Sequence, residues 1–345
     1  MSTELLELHD DLRAVARDLL GAQPSVDRGT LAEAGWAGLE VPDALGGADA
    51  TFAEVAVVLE EMGRAATRSG YLGAVLSVGT LGLLAPSTTR DELLRDVAHG
   101  TVAPAAAIRD AGNSGLADGV PFRLERGLRL TGRATFVPDA VGADRILLLA
   151  EDPDGAVVVV VPELSAVRIV EQPVLDETRC FGVVEASDLP VPADAVVRFA
   201  GDPAVAVRRL VDRAAAAVAC DSLGISEAVL DATVAHVRTR EQFGRPIGSF
   251  QAVKHACADL YVRASLARLL VSDAAARLDE AAVSRAKSYA CEAAVEAAGT
   301  AMQLHGAIGY AWESGIHAYL KRAALNRALF GSPAEHRQRL AARWA

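Results

Sequence analysis

Apolar residues recur at spacings of three and four from the start of the chain, where Leu5, Leu8, Leu12, Val15 and Leu19 share one face of a predicted helix. The helical period persists to about residue 100. Within it, LAEAGWAGLEVPDALGGADATFAEVAVVLEEMGRA places a short extended piece before the Gly46-Gly47 loop and a helix over about 52–63 after it. The period then shortens to two. RLTGRATFV, DRILLLA, AVVVVVPE and VRIVEQPV are short β-branched runs separated by Asp-Gly, Pro-Asp and Asp-Pro turns. From about 203 the helical period returns, and 208–239, 251–278 and 280–304 predict long Ala-rich helices, too apolar to stand alone. The expected fold class is α+β, mostly α. It comprises an N-terminal helical domain (1–100), a middle antiparallel β domain (101–200) and a C-terminal four-helix bundle (201–345).

Composition narrows the function. The 345 residues exceed one ordinary core, and 51% of them are hydrophobic against 23% charged. A net charge of −11 argues against nucleic acid or an anionic membrane as partner, yet leaves room for a local Arg cluster to bind phosphates. Cys180, Cys220, Cys257 and Cys291 are widely spaced, with no CxxC, and read as buried free thiols of a reducing, cytoplasmic compartment. The N-terminus is acidic and amphipathic, unlike a signal peptide, and no uncharged run approaches membrane-spanning length. The seven His residues include no HExxH or HxxxH pair, so no metal site is expected. There is no GxxxxGK[ST] and no strand-framed GxGxxG, so a nucleotide, if bound, is bound another way.

RTREQFGRPIGSFQAVKH, residues 238–255, offers that other way. A helix through Thr233 and Val237 breaks at Phe243-Gly244, passes Pro246 and Gly248, and restarts at Gln251, with Ser249 as its expected cap. The turn projects Arg240, Phe243 and Gln251: a guanidinium fork, a flat ring and an amide, suited to a pyrophosphate with an attached heterocycle. This stretch resembles the FAD-binding helix junction of the acyl-CoA dehydrogenase family. MQLHGAIGYAWESGIHAYLKRA, about sixty residues further on, is similar to the family's Gln-x-x-Gly-Gly-x-Gly-aromatic turn and the helix after it. There Gln303 can hydrogen-bond adenosine or ribityl groups, while Gly306 and Gly309 let backbone approach a ligand closely. Gly35, Trp36, Gly38, Val41, Pro42, Gly46, Gly47, Glu61, Gly63 and Arg64 match the family's N-terminal segment. The resemblance covers nearly the whole chain. It implies FAD as cofactor, an acyl-CoA thioester as substrate and an electron-transfer flavoprotein or similar acceptor.

The resemblance also implies a base. The family desaturates an acyl thioester: a Glu removes the α-proton while the β-hydride passes to the flavin, and hydrogen bonds stabilise the developing enolate. Counting from Gly309, one family position for that Glu is Phe330. Counting back from Leu223-Gly224, the other is Ala214. Neither can accept a proton. Asp212 and Glu313 are weak candidates: Asp212 is rotated about 200° from Ala214 on a helix, and Glu313 matches a family residue that positions its helix. The flavin ring's own seat departs as well. The family's Trp-Ile-Thr strand is Phe136-Val137-Pro138 here, and the loop around 106–115 has no Thr-Glu-Pro and no convincing Gly-Ser-Asp. Proline supplies neither hydroxyl nor backbone donor. In the family, the Arg-x-x-Phe-Gly junction and the Gln-x-x-Gly turn contact the ADP part of FAD held by a neighbouring subunit. A chain keeping only that half resembles the shorter, β-type subunit of actinobacterial α2β2 acyl-CoA dehydrogenases, several of which act on steroid side-chain CoA esters. Such a chain completes the FAD site of a larger homologous subunit and supplies no base. The alternatives are a self-sufficient homotetramer with a displaced base and a non-catalytic scaffold without flavin. Oligomerisation is expected through Ala-rich faces at 214–220, 264–276 and 286–301.

Overall fold

A computed structural model describes residues 3–21, 25–109 and 119–343, with side chains from residue 7. Residues 110–118, which fall in the expected flavin loop, lie outside the described residues. The chain begins with helix α1 (Thr3–Gly21), strand β1 (Ser25–Val26) and helices α2 (Arg28–Glu33) and α3 (Phe52–Ala65). Strand β2 (Arg68–Ser69) and helices α4 (Tyr71–Gly82) and α5 (Thr88–Ala98) follow. Strands β3 (Pro104–Ala107), β4 (Phe122–Glu125), β5 (Arg129–Pro138), β6 (Arg145–Glu151), β7 (Val157–Val160), β8 (Arg168–Glu171), β9 (Phe181–Pro190) and β10 (Val196–Arg198) come next. The remainder is helix α6 (Pro203–Thr239), the hairpin of β11 (Glu241–Gln242) and β12 (Arg245–Pro246), and helices α7 (Gln251–Arg277), α8 (Glu280–His305), α9 (Ile316–Ala328) and α10 (Pro333–Ala342). Helices, then strands, then helices is the expected order.

By mutual contact the chain forms two compact units. One is Ser25–Val55 with Arg68–Ala214. Its eight-stranded sheet runs β10-β7-β6-β4-β5-β9-β8, with β3 on β6; the ladders are antiparallel except for β3 and β4 on β6. The core on this sheet includes Leu124, Leu130, Ile146, Leu148, Val158 and Val184. β3 is PAAA, buried at all four positions. Alanine favours helix in isolation, and here the parallel pairing to β6 and the packing of α4 override that preference. In the same unit Arg213, from the first turns of α6, donates to Glu40 at 2.8 Å and to the Val75 carbonyl at 3.1 Å, and lies over the Phe52 ring.

The other unit is Met1–Pro24, Ala56–Thr67 and Ala215–Ala345. Here α3 and α6 cross where both lack side chains. A Cβ on Gly224 would overlap the Glu60 carbonyl oxygen, and one on Gly63 would overlap that of Asp221. Beside the crossing, Arg322 of α9 is bidentate to buried Asp221 (3.0 and 2.6 Å) and donates to the Thr67 carbonyl at 2.9 Å, while Asn326 donates to Asp221 at 2.6 Å. A buried ion pair needs such extra hydrogen bonds to offset its desolvation.

The expected face of α1 is buried only in part, Leu12 and Leu19 being half-buried. Leu8 and Val15 are exposed, while Ala16 and Leu20 are buried; the side chain of Leu5 is not among those described. Half-buried Arg13 and exposed Arg17 pair with buried Glu60 and Glu61 of α3 at 3.4 and 2.8 Å along the edge of the helix. Among the thiols, Cys220 and Cys291 are buried, but Cys180 and Cys257 only half so. No described helix is long and apolar enough to cross a membrane.

Candidate cofactor-contact site

α6 ends at Thr239, and the next eleven residues form a compact corner. Glu241 pairs with Pro246 and Gln242 with Arg245, leaving Phe243-Gly244 as a two-residue hairpin loop. Both loop residues have positive φ, +55° and +75°, as a type I′ turn requires. Glycine adopts this backbone freely; phenylalanine does so at a cost of about 1 kcal/mol or more. What that strain achieves is presentation: the Phe243 ring is 92% exposed. The Ile247 amide donates to the Arg240 carbonyl at 2.8 Å, pinning the corner to the end of α6. Phe250 meets Phe243 edge-on at 6.1 Å and carries the Arg245 guanidinium over its face at 4.3 Å, so Gln251, the next residue, starts α7 beside the hairpin.

Ser249 is not the cap of α7. Phe250 occupies the N-cap position without a side-chain hydrogen bond, and the Ser249 Oγ is buried with no partner among the described residues. The short 3₁₀ turn Ile247–Ser249 carries the serine inward, away from the orphan amides of the helix.

The second motif meets the first. His236, one turn before Arg240, stacks on His305, two residues after Gln303, with ring centroids 4.2 Å apart. The stack therefore brings the C-terminal end of α8, which carries Gln303 and Gly306, beside the last turn of α6 that precedes Arg240. Sequence reasoning missed this pair, because nothing local links two single histidines on different helices. Gly306 closes α8 at φ +63°, ψ −141°, a conformation open almost only to glycine, and a Cβ there would meet nothing within 4 Å. It is glycine by conformation, with free space beside it. Gly309 differs: a Cβ would overlap the Met302 carbonyl, so its bareness serves packing within the chain, not ligand approach.

Arg240, Phe243, Gln251 and Gln303 are all exposed. Among the described residues no hydrogen bond or ion pair engages the side chains of Arg240, Gln251 or Gln303. Five guanidinium donors, two amides, a presented ring and a bare backbone turn suit a dinucleotide such as FAD.

The family's base positions look different. Phe330 is buried, with φ +53°, in a turn whose carbonyl accepts from His336 Nε2 at 3.0 Å. His336 faces the Ser284 Oγ at 3.1 Å through Nδ1, and burial first of all holds its pKa down to about 4. Ala214 is fully buried on α6. Asp212 is also buried, and Glu313 is exposed in the 3₁₀ turn Trp312–Ser314. In the sheet unit, Phe136 sits at an irregularity of the β5–β9 ladder with φ +51°. Its amide donates to Gln172 Oε1 at 2.8 Å, and its ring packs edge-on against Phe181. Pro138 ends the strand, paired with Phe181.

Comparison with known proteins gives the family. Residues 10–101 match the acyl-CoA dehydrogenase N-terminal domain and residues 204–345 the acyl-CoA dehydrogenase C-terminal domain. "Acyl-CoA dehydrogenase IpdE2" of Mycolicibacterium smegmatis is 33% identical over 343 residues, 98% of this chain and 94% of the relative. The chain belongs to the acyl-CoA dehydrogenase family. It shares the family's fold and its class, FAD-dependent oxidoreductases. Among solved structures it is similar to the ChsE4–ChsE5 complex from Mycobacterium tuberculosis, with 26% identity, coverage of 100% of this chain and 98% of that one, and TM-score 0.87. It is also similar to a variant of the Tcur3481–Tcur3483 steroid ACAD, with 25% identity, 98% coverage of both chains and TM-score 0.87.

Proposed function

We propose that this acyl-CoA dehydrogenase chain is the smaller subunit of a heteromer, in which it completes an FAD site borne mainly by a larger homologous subunit and supplies no catalytic base. One observation carries the reading. The dinucleotide-facing set is intact, exposed and unspent, while both family positions for the Glu hold groups that cannot take a proton, Phe330 and Ala214.

Arg240 would hold the pyrophosphate, Phe243 would lie against the heterocycle, Gln251 and Gln303 would hydrogen-bond the nucleotide, and Gly306 would bring backbone close. FAD, when bound, accepts hydride in α,β-desaturation of an acyl-CoA. This chain's share is to bind and orient. Asp212 and Glu313 have no part in the proton transfer: one is buried two residues round the helix from Ala214, the other lies in solvent. An α2β2 assembly, division of the chain into three domains near residues 100 and 200, and an electron-transfer flavoprotein as acceptor belong to the same reading. The likeness to a steroid ACAD and to the two-component ChsE4–ChsE5 complex supports a steroid side-chain CoA ester as substrate and a paired subunit as partner.

The test is flavin content. Purified alone, the chain is expected to carry little flavin absorbance, and co-purified with a homologous chain bearing the Glu it is expected to carry a full site. Stoichiometric flavin on the isolated chain would count against the heteromer and for a self-sufficient enzyme.

A further inference from the structure

His236 and His305 join the helix ends that carry the two segments of the proposed flavin contact, and neither has been given a role in it. Arg240 follows His236 by one turn, its amide donating to the His236 carbonyl at 2.9 Å. The rings stack at 4.2 Å with 22° between their planes. Two imidazolium rings at that separation repel strongly, so the pair holds at most one extra proton. The Nδ1 of His305 is 2.8 Å from the Ala301 carbonyl. A carbonyl only accepts, so that nitrogen carries a hydrogen. Burial, then His305 from α8, then Arg240 just past the end of α6, all push His236 below its ordinary range. Around neutral pH, with nothing bound, the ring is uncharged.

A pyrophosphate on Arg240 reverses the balance. It offsets the guanidinium's field and brings negative charge beside two rings seated at helix C-termini, where cations are favoured. We propose that the His236–His305 pair is a proton-coupled part of the dinucleotide contact, taking up one proton when a pyrophosphate diester binds at Arg240. The inference rests on the reading of Arg240 given above. Above the pair's pKa in the bound state there is no uptake; below its pKa in the free state the proton is already present. Between the two, affinity strengthens as pH falls, by up to about tenfold per pH unit for one proton.

ADP-ribose is the probe, because it carries the pyrophosphate diester of FAD and no phosphate that titrates near neutrality. It is titrated calorimetrically into the flavin-free assembly of this chain with its larger homologous subunit at mildly acidic and mildly alkaline pH, in two buffers of different ionisation enthalpy. Binding is expected to tighten at the lower pH, with a buffer-dependent heat that reports uptake of up to one proton. His236→Phe, which keeps a stacking ring, is expected to bind at alkaline pH yet lose the uptake; His305→Phe is the second variant should the first misfold. Binding that depends on Arg240 but takes up no proton overturns the inference and leaves the Arg240 reading intact. So does uptake that survives in both histidine variants. Binding that Arg240→Ala leaves unchanged, or no binding at either pH, overturns the reading of the site and this inference with it.

Discussion

Arg240 is exposed just past the end of α6 and has no ion-pair partner among the described residues, so its guanidinium can form a charge-assisted pair with an arriving anion. Replacing it with Ala removes about 1.5–3 kcal/mol of binding, so flavin retention in the assembled enzyme is expected to weaken about ten- to a hundredfold. Equilibrium dialysis of flavin from the wild-type and Arg240→Ala assemblies measures this, and equal retention would remove the site assignment. At this scale the sequence was informative where chemistry is local. The break at Phe243-Gly244 could be read because it is a short run of helix breakers. Ser249 was misread because a serine before a helix satisfies the capping pattern, whereas the 3₁₀ turn decides where its hydroxyl points. The His236–His305 stack could not be read at all, since it exists only once α6 and α8 are packed.

Among the elements, the long helices were legible because their apolar period runs for many turns, and α6, α7 and α8 begin and end within a few residues of the expected limits. Faces were less legible. On α1 the buried positions are Ala16 and Leu20, and Arg13 and Arg17 pair with acids on α3, which a count of leucines misses. Strand β3 hides in an alanine run whose neighbours, not its own preference, make it extended. The crossing of α3, α6 and α9 rests on Gly63, Gly224 and the Arg322–Asp221 pair, of which only the glycines stood out in sequence. Arg322→Met leaves the Asp221 carboxylate buried without its cation, at a cost of about 3–5 kcal/mol. Denaturant unfolding of the variant checks this: a marked drop in midpoint is expected, and an unchanged one would mean that the pair does not secure the crossing.

At the scale of the whole molecule, the Ala-rich runs belong largely to the chain's own core. Residues 214–220 are buried, as are Ala286, Ala290, Ala294, Ala298 and Ala301 on α8, so small side chains here allow close helix packing rather than oligomer contact. One stretch of exposed apolar surface lies instead on the outer face of α7, where Tyr261, Val262 and Leu269 are 65%, 62% and 69% exposed. It adjoins a groove of about 580 Å³ between α6 and α7, lined by Leu230, Val234, Cys257 and Tyr261. A stripe of that kind marks an interaction surface. Val262→Asp with Leu269→Asp is expected to shift the assembly towards smaller species in sedimentation, and an unchanged distribution would place the subunit interface elsewhere.

The central claim is that this chain contributes to a flavin site without contributing the base. Loss of a general base commonly costs about 10²–10⁴-fold in rate, so the partner's carboxylate should dominate. The deciding measurement is acyl-CoA desaturation with an artificial electron acceptor, by this chain alone and by its assembly with a Glu-bearing homologue. The account predicts no turnover by the isolated chain and turnover by the assembly. That turnover should vanish when the partner's Glu becomes Gln and should change little in Asp212→Asn or Glu313→Gln of this chain. Turnover by the isolated chain that Asp212→Asn abolishes would contradict it.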